Sequence, residues 1–226
     1  MKDSTLITAP RSESELMQRV GILSGKTIQQ VASEIQWDVP DNLLRAKGWV
    51  GELLETCLGA TAAALPEPDF QLIGVELKTL PIAANGRPKE STYVCTVPLS
   101  GSIGQQWEDS VVWAKLRRVL WLPVEACADI PISKRRIGSG FLWSPSKTQE
   151  QSLRMDWQEH MEKINAGELA SINARHGKYL QIRPKANNAR ALTLTHDEQG
   201  DTRSTLPRGF YLRTAFTCQL LREGTC

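Results

Sequence analysis

An α/β fold is expected for this 226-residue chain from three features of its sequence. Apolar residues recur at helical spacing up to about position 60, and after Pro66 and Pro68 the period drops to two. From there helical and extended patterns alternate to the end. Helices, then strands, then both mixed is an order that fits an α/β core.

The first helix is expected in "SESELMQRVGIL", where Ser12 and Glu15 form a capping-box pattern ahead of Leu16, Met17, Val20 and Leu23. A second runs through "TIQQVASEIQW", with Ile28, Val31, Ala32 and Ile35 on one face and Pro40 closing the unit. The third is "KGWVGELLETCLGA": Trp49, Val50, Leu53, Leu54, Cys57 and Leu58 share a stripe, and Glu52 and Glu55 fall on its other side. Residues 68–79, "PDFQLIGVELKT", read as one short strand, with Ile73, Val75, Leu77 and Thr79 on one face and Gly74, Glu76 and Lys78 on the other. A turn around "ANGRPKE" leads to a strand in "STYVCTVPL". The segment "WEDSVVWAKLRRVLWLPVE" starts as a helix and becomes a buried strand from Val119 to Val124. "SGFLWS" is a further strand, followed by a long helix aligning Leu153, Trp157, Met161 and Ile164. "KYLQIRPK" and "LTLTHDEQGDTRSTLPRGFYL" read as strands and loops, and "TAFTCQLL" as a last helix.

Composition narrows the function. Hydrophobic content of 41% with 23% charged residues is that of a globular protein. No apolar run reaches the roughly 20 residues of a membrane span, and "MKDSTLITAPRSESEL" lacks a signal-peptide core, so a cytoplasmic protein is expected. Cys57, Cys95, Cys127, Cys218 and Cys226 are scattered and odd in number, and the histidines are only His160, His176 and His196. Neither a thiolate zinc site nor a histidine cage is suggested, so any metal is held by carboxylates. Residues 1–113 carry 9 basic and 14 acidic side chains, whereas residues 114–226 carry 18 and 11. A basic second half suits a polyanionic partner, although solvated helix faces would give the same imbalance.

Why residues 68–79 hold two acids and a lysine is the central question. Asp69 opens the segment, and Glu76 and Lys78 share a face at ~6.6 Å between α-carbons on the ~3.3 Å rise of a strand. A hard divalent ion needs one or two carboxylates plus phosphate oxygens, and a neighbouring lysine can orient an attacking water. The plainer alternative is an ion pair between Glu76 and Lys78 on an edge strand, with Asp69 closing a turn after Pro68.

Pro68-Asp69, six intervening residues, then Glu76-Leu77-Lys78 resembles the signature of the PD-(D/E)xK, or restriction-endonuclease-like, nucleases. Within that family, "AKGWVGELLE", "PDFQLIGVELKTLPI", "VVWAKLRRVLW", "YLQIRPKA" and "LPRGFYL" are similar, in that order, to the endonucleases of methyl-directed DNA mismatch repair. The likeness spans roughly residues 10 to 221, and the final "REGTC" carries no part of it.

The resemblance implies a single domain over residues 1–226, with a central mixed β-sheet flanked by helices and N- and C-terminal lobes around a DNA-binding cleft. It implies Mg2+ bound by Asp69, Glu76 and the main-chain carbonyl of Leu77, with Lys78 assisting the attacking water. Glu55 would reach the same site, and Lys115 would lie near the scissile phosphate; taken alone, these two are ordinary surface groups. On the DNA side it assigns Lys47, Tyr93, Arg183, Pro184, Lys185 and Tyr211. Arg183 would read a base edge, the commonest arginine contact being guanine N7 and O6, and Tyr211 would sense adenine methylation. Without the family, Tyr211 reads equally as a core aromatic, since it alternates with Phe210 and Leu212. Lys134, Arg135, Arg136, Arg190 and Arg208 are expected to meet phosphates. The implied reaction is a nick in the unmethylated strand of hemimethylated GATC in double-stranded DNA. Its implied partners are MutL as activator and, through it, MutS. A monomer suits a substrate of which only one strand is cut. A non-catalytic DNA-binding module on the same fold, or a nuclease with another target, are the rival readings.

Overall fold

The computed structural model describes residues 7–42, 48–63, 65–173, 175–185 and 192–224. Lys47 and Arg190, both expected at the DNA, lie outside the described residues. The chain divides into two compact units, one of residues 1–90, 118–144 and 220–226, the other of residues 91–117 and 145–219.

The first unit opens with α1 (Glu13–Leu23), α2 (Ile28–Glu34) and α3 (Trp49–Leu58). The starts of α1 and α2 are legible in the chain. Ser12 Oγ accepts from Glu15 N at 3.1 Å, and Thr27 and Gln30 form a complete capping box. Gly59, at φ 84°, closes α3 in the left-handed conformation that glycine adopts without cost. α2 ends sooner than Pro40 suggests. Gln36 takes φ 59°, and Trp37 N reaches back to Ala32 O at 2.9 Å, a helix-ending motif that normally uses glycine.

β1 (Glu76–Ile82) and β3 (Val119–Glu125) run parallel with Glu76 opposite Val119 and Lys78 opposite Trp121. β4 (Phe141–Trp143) adds antiparallel to β3. Leu16, Val20, Ile28, Val31, Leu53 and Leu58 from the helices pack with Leu77, Leu120 and Leu122 from the sheet in one core. The expected strand over residues 68–79 is corrected here: its first half is not extended. Gln71–Ile73 is a 3₁₀ turn, Gly74 sits at φ 65°, and Phe70 and Val75 exchange main-chain hydrogen bonds of 2.9 and 3.3 Å. Residues 70–75 therefore fold back on themselves and lay Asp69 beside the start of β1.

The second unit holds β2 (Thr92–Thr96), β5 (Leu180–Pro184) and β8 (Arg208–Leu212) in an antiparallel sheet of order β2-β8-β5. α4 (Val111–Leu116), the long α5 (Lys147–Asn165) and a two-stranded ribbon, β6 (Thr193–His196) with β7 (Thr202–Thr205), complete it. α6 (Thr214–Gly224) follows β8 and runs into the last segment of the first unit. The protein is thus a mixed α/β structure of six helices and several small sheets among the described residues. Among the described residues its strands do not merge into the one central sheet expected. β2 pairs with β8 rather than β1, so mixed pairing is confined to β1-β3-β4. No helix among the described residues is long and apolar enough to cross a membrane.

Two side chains of α5 anchor β5. Asp156, buried, accepts from Lys178 N, Tyr179 N and Leu180 N at 2.7, 2.6 and 2.8 Å. His160, fully buried, places Nε2 3.2 Å from Leu180 O, while Nδ1 is buried without a hydrogen-bond partner. Burial holds the His160 pKa below its ordinary 6.5, against the raising effects of the Leu180 bond and of Asp156 and Glu159; His176 adds a smaller lowering effect. Above pH 6.5 the ring is neutral in folded and unfolded chains alike. Below it the unfolded chain binds the proton first, so stability falls until the folded-state pKa is passed. Thermal melts between pH 8 and 5 should show a flat midpoint that declines below about 6.5, and His160→Gln should flatten that decline. An unchanged profile in the variant would assign the decline to other groups.

Candidate active site

The turn at residues 70–75 accounts for the spacing of the two acids. By reversing the chain, it brings Asp69 against the first residues of β1, where the Asp69 carboxylate binds the Leu77 main chain and the Glu76 carboxylate binds that of Asp69. Asp69 Oδ2 accepts from Leu77 N at 2.8 Å, and Glu76 Oε2 accepts from Asp69 N at 3.3 Å. Both are buried, at 6% and 1% exposure. Lys78, two residues on and on the same strand face, donates to Glu76 Oε1 at 2.5 Å. The ion pair that the sequence offered as the plain alternative is therefore present, but not on a solvent face: its carboxylate side chain is only 2% exposed. A pair so placed loses most of its Coulombic gain to desolvation and is poor as a stabilising device. That favours a working role for the charges.

The donors suit a hard divalent cation. Asp69 and Glu76 offer oxygen only, and the Leu77 carbonyl directly follows Glu76 in the chain. Among the described residues no three His, Cys, Asp or Glu side chains gather as a metal cage. Cys57, on α3, is a thiol whose pKa burial pushes up to about 11, which rules it out as a thiolate at neutral pH. Glu55 is half-buried on α3, off the stripe of Leu53, Leu54 and Leu58. Lys115 stands in the last turn of α4, in the second unit.

Of the residues expected to read DNA, Tyr93, Arg183, Lys185 and Tyr211 gather on one face of the β2-β8-β5 sheet. Phe210 and Leu212 are fully buried on the other face, so Tyr211 points outward, half-buried. Tyr93 lies directly across from it on β2, the rings meeting edge-on at 5.4 Å. Arg183 is exposed on β5, donates to Ser91 Oγ at 2.7 Å, and has its guanidinium 6.0 Å from the Tyr211 ring centre. Pro184, exposed, ends β5 opposite Arg208. Lys185 lies over the Tyr93 ring at 3.8 Å and hydrogen-bonds the Tyr93 hydroxyl, which also meets Thr96 Oγ1 at 3.0 Å.

Three residues of this face were not singled out by the sequence: Ser91, Thr96 and Gly209. Gly209, two positions before Tyr211, has a legible signal in strand alternation. Thr96 has none, because Tyr93 and Thr96 are an odd number of residues apart and alternation puts them on opposite faces. A bulge between Tyr93 and Cys95 turns Val94 and Cys95 both inward and restores Thr96 to the Tyr93 face. Of the cations expected at phosphates, Lys134 is exposed. Arg135 donates to Ile130 O at 3.1 Å and Arg136 to Gly25 O at 2.8 Å, so both brace loops.

Carboxylates locked to one another through the main chain, with an ammonium on the same strand, are equipment for hydrolysing an anionic ester. In an α/β fold that also carries cations and tyrosines on a sheet, such groups suit a nuclease. Comparison with known proteins narrows the class. The family described as "DNA mismatch repair enzyme MutH" matches residues 58–156. DNA mismatch repair protein MutH of Vibrio parahaemolyticus is 52% identical over 212 residues, 94% of this chain and 94% of that protein. The proteins of the same name from Yersinia enterocolitica and Escherichia coli are 52% and 51% identical, over 94% and 96% of this chain and 93% and 94% of their own lengths. The chain belongs to the MutH family of DNA mismatch repair enzymes, and the likeness read from separated motifs extends across nearly all of it.

Proposed function

We propose that the chain nicks the unmethylated strand of hemimethylated GATC sites in double-stranded DNA by Mg2+-dependent hydrolysis of the phosphodiester 5′ to the G. The observation that carries this reading is the bonding of the Asp69 carboxylate to Leu77 N and of the Glu76 carboxylate to Asp69 N, with Lys78 on the Glu76 carboxylate, in a chain about half identical to MutH proteins along its length. Asp69, Glu76 and the Leu77 carbonyl would hold the cation. Bound there, it supplies Lewis-acid chemistry, neutralising phosphate charge and acidifying a water.

The chain's own groups do the rest. The main-chain bonds that join Asp69 and Glu76 fix both carboxylates before substrate arrives, so no reorganisation is needed in the transition state. Lys78 carries an ammonium with three donors, which orients the attacking water and meets negative charge on the phosphate. Water oxygen bonds to phosphorus as the bond to the 3′ oxygen breaks. The 3′ oxygen takes a proton, leaving a 3′-hydroxyl and a 5′-phosphate. Glu55 and Lys115 are assigned to the same reaction, the first beside the acids and the second at the scissile phosphate. Arg183, Pro184, Lys185, Tyr93 and Tyr211, together with Lys47, are assigned to the DNA, Tyr211 to the methyl state of adenine. The chain would be one restriction-endonuclease-like domain with N- and C-terminal lobes, working as a monomer with MutL as activator, itself signalling for MutS.

Incubation of unmethylated, hemimethylated and fully methylated GATC duplexes with Mg2+, with and without MutL and ATP, tests the reading. Nicking of the first two, restricted to the unmethylated strand and faster with MutL, is expected. Binding without cleavage in every condition would instead support a DNA-binding module, and equal cleavage of all three a nuclease with no methyl preference.

A further inference from the structure

We propose that Gly209 is a specificity-determining position: its bare backbone, together with the Tyr93 ring, sets where the Tyr211 ring stands. This rests on the reading of Tyr211 as the sensor of adenine methylation and names what positions that sensor. Gly209 lies on β8, two residues before Tyr211 and on the same face, opposite Thr96 on β2 and Arg183 on β5. A Cβ at Gly209 would stand 2.9 Å from Cε2 of Tyr211 and 3.0 Å from Cε2 of Tyr93. Both rings therefore lean into the space that a side chain would fill, and their edge-on contact at 5.4 Å forms above this residue.

Gly209 is not among the residues of positive φ, so alanine meets no backbone penalty there. What must move is a ring. Tyr93 cannot yield easily, because its hydroxyl is shared between Lys185 and Thr96 and the Lys185 ammonium lies over its face. Cε2 of Tyr211 stands nearest the added Cβ, so that ring must shift. A displacement of a few tenths of an ångström matters, because telling an amino group from a methylamino group is a test of van der Waals fit against one ring edge.

The experiment compares nicking rates on unmethylated and fully methylated GATC duplexes and reports their ratio, so that any general loss of activity cancels. Gly209→Ala is expected to lower the ratio at least tenfold, and Tyr93→Leu, which removes the ring that Tyr211 leans on, to lower it similarly. Should Gly209→Ala fail to fold, Tyr93→Leu decides. A wild-type ratio in either folded variant overturns the positioning role. A wild-type ratio in Tyr211→Ala would instead overturn the underlying assignment of the methyl sensor, which keeps the two failures apart.

Discussion

Lys78→Ala is expected to lower nicking of GATC duplexes by about a hundred- to a thousandfold while duplex binding persists. The ammonium is held on a buried carboxylate at 2.5 Å, so it is oriented before DNA arrives, and no other side chain of β1 carries a positive charge to replace it. Glu76→Ala should lose at least as much, since it removes a cation ligand and the acceptor for Asp69 N at once. Because that variant also strands a buried N–H, Glu76→Gln is the better comparison: the amide oxygen still accepts from Asp69, but the charge is gone. Single-turnover nicking and mobility-shift binding on the same duplex separate the two effects. Wild-type nicking by Lys78→Ala or Glu76→Gln would end the assignment of this turn and strand as the catalytic centre.

Asp156→Ala should be the most destabilising single change in the second unit. Its carboxylate accepts three main-chain N–H groups at the entry to β5 and is 6% exposed, so alanine strips all three of their acceptor and leaves the Leu180 N–H buried with nothing to bind. Hydrogen bonds to a charged group contribute about 1.5–3 kcal/mol each, and stranding a buried donor costs about 1–3 kcal/mol. Even allowing for relaxation, a loss of about 3–5 kcal/mol follows. For a chain of this size that lowers the melting midpoint by roughly 6–20 °C. Asp156→Asn should rescue part of the loss, because its amide oxygen can still accept from Tyr179 N and Leu180 N while its NH2 turns a donor toward Lys178 N. Since β5 carries Arg183 and leads into Lys185, duplex binding should weaken along with stability. A midpoint within two or three degrees of the wild type would show that the β5 entry is held by something other than this carboxylate.

Much of this architecture is written locally. The caps at Ser12 and Thr27, the stripe of α3 and the passage from α4 to β3 depend on residues within a few positions of one another, and short-range patterns report them faithfully. Two misreadings share one physical origin. The end of α2 is marked by left-handed Gln36, a conformation usually written as glycine, so no punctuation is visible. The strand predicted from residue 68 breaks because the Phe70–Val75 bridge and left-handed Gly74 outweigh an alternation that suits a strand equally well. The single central sheet was likewise misjudged, since nothing near β2 in the sequence says that its partner is β8, more than a hundred residues away.

By itself the sequence determined the chemistry available: two acids and a lysine near β1, a cation-rich second half with tyrosines and arginine on strands, and enough motif agreement to indicate the family. Tertiary structure alone decided how those groups face one another. The fold-back at residues 70–75 tied Asp69 to Glu76, the bulge in β2 put Thr96 beside Tyr93, and the pairing of β8 with β2 set two tyrosine rings over Gly209. The reason is range. Caps and periodicity are set by energies between near neighbours in the chain, whereas the meeting of side chains from separate strands depends on register, and register is fixed only when the whole sheet closes on its core.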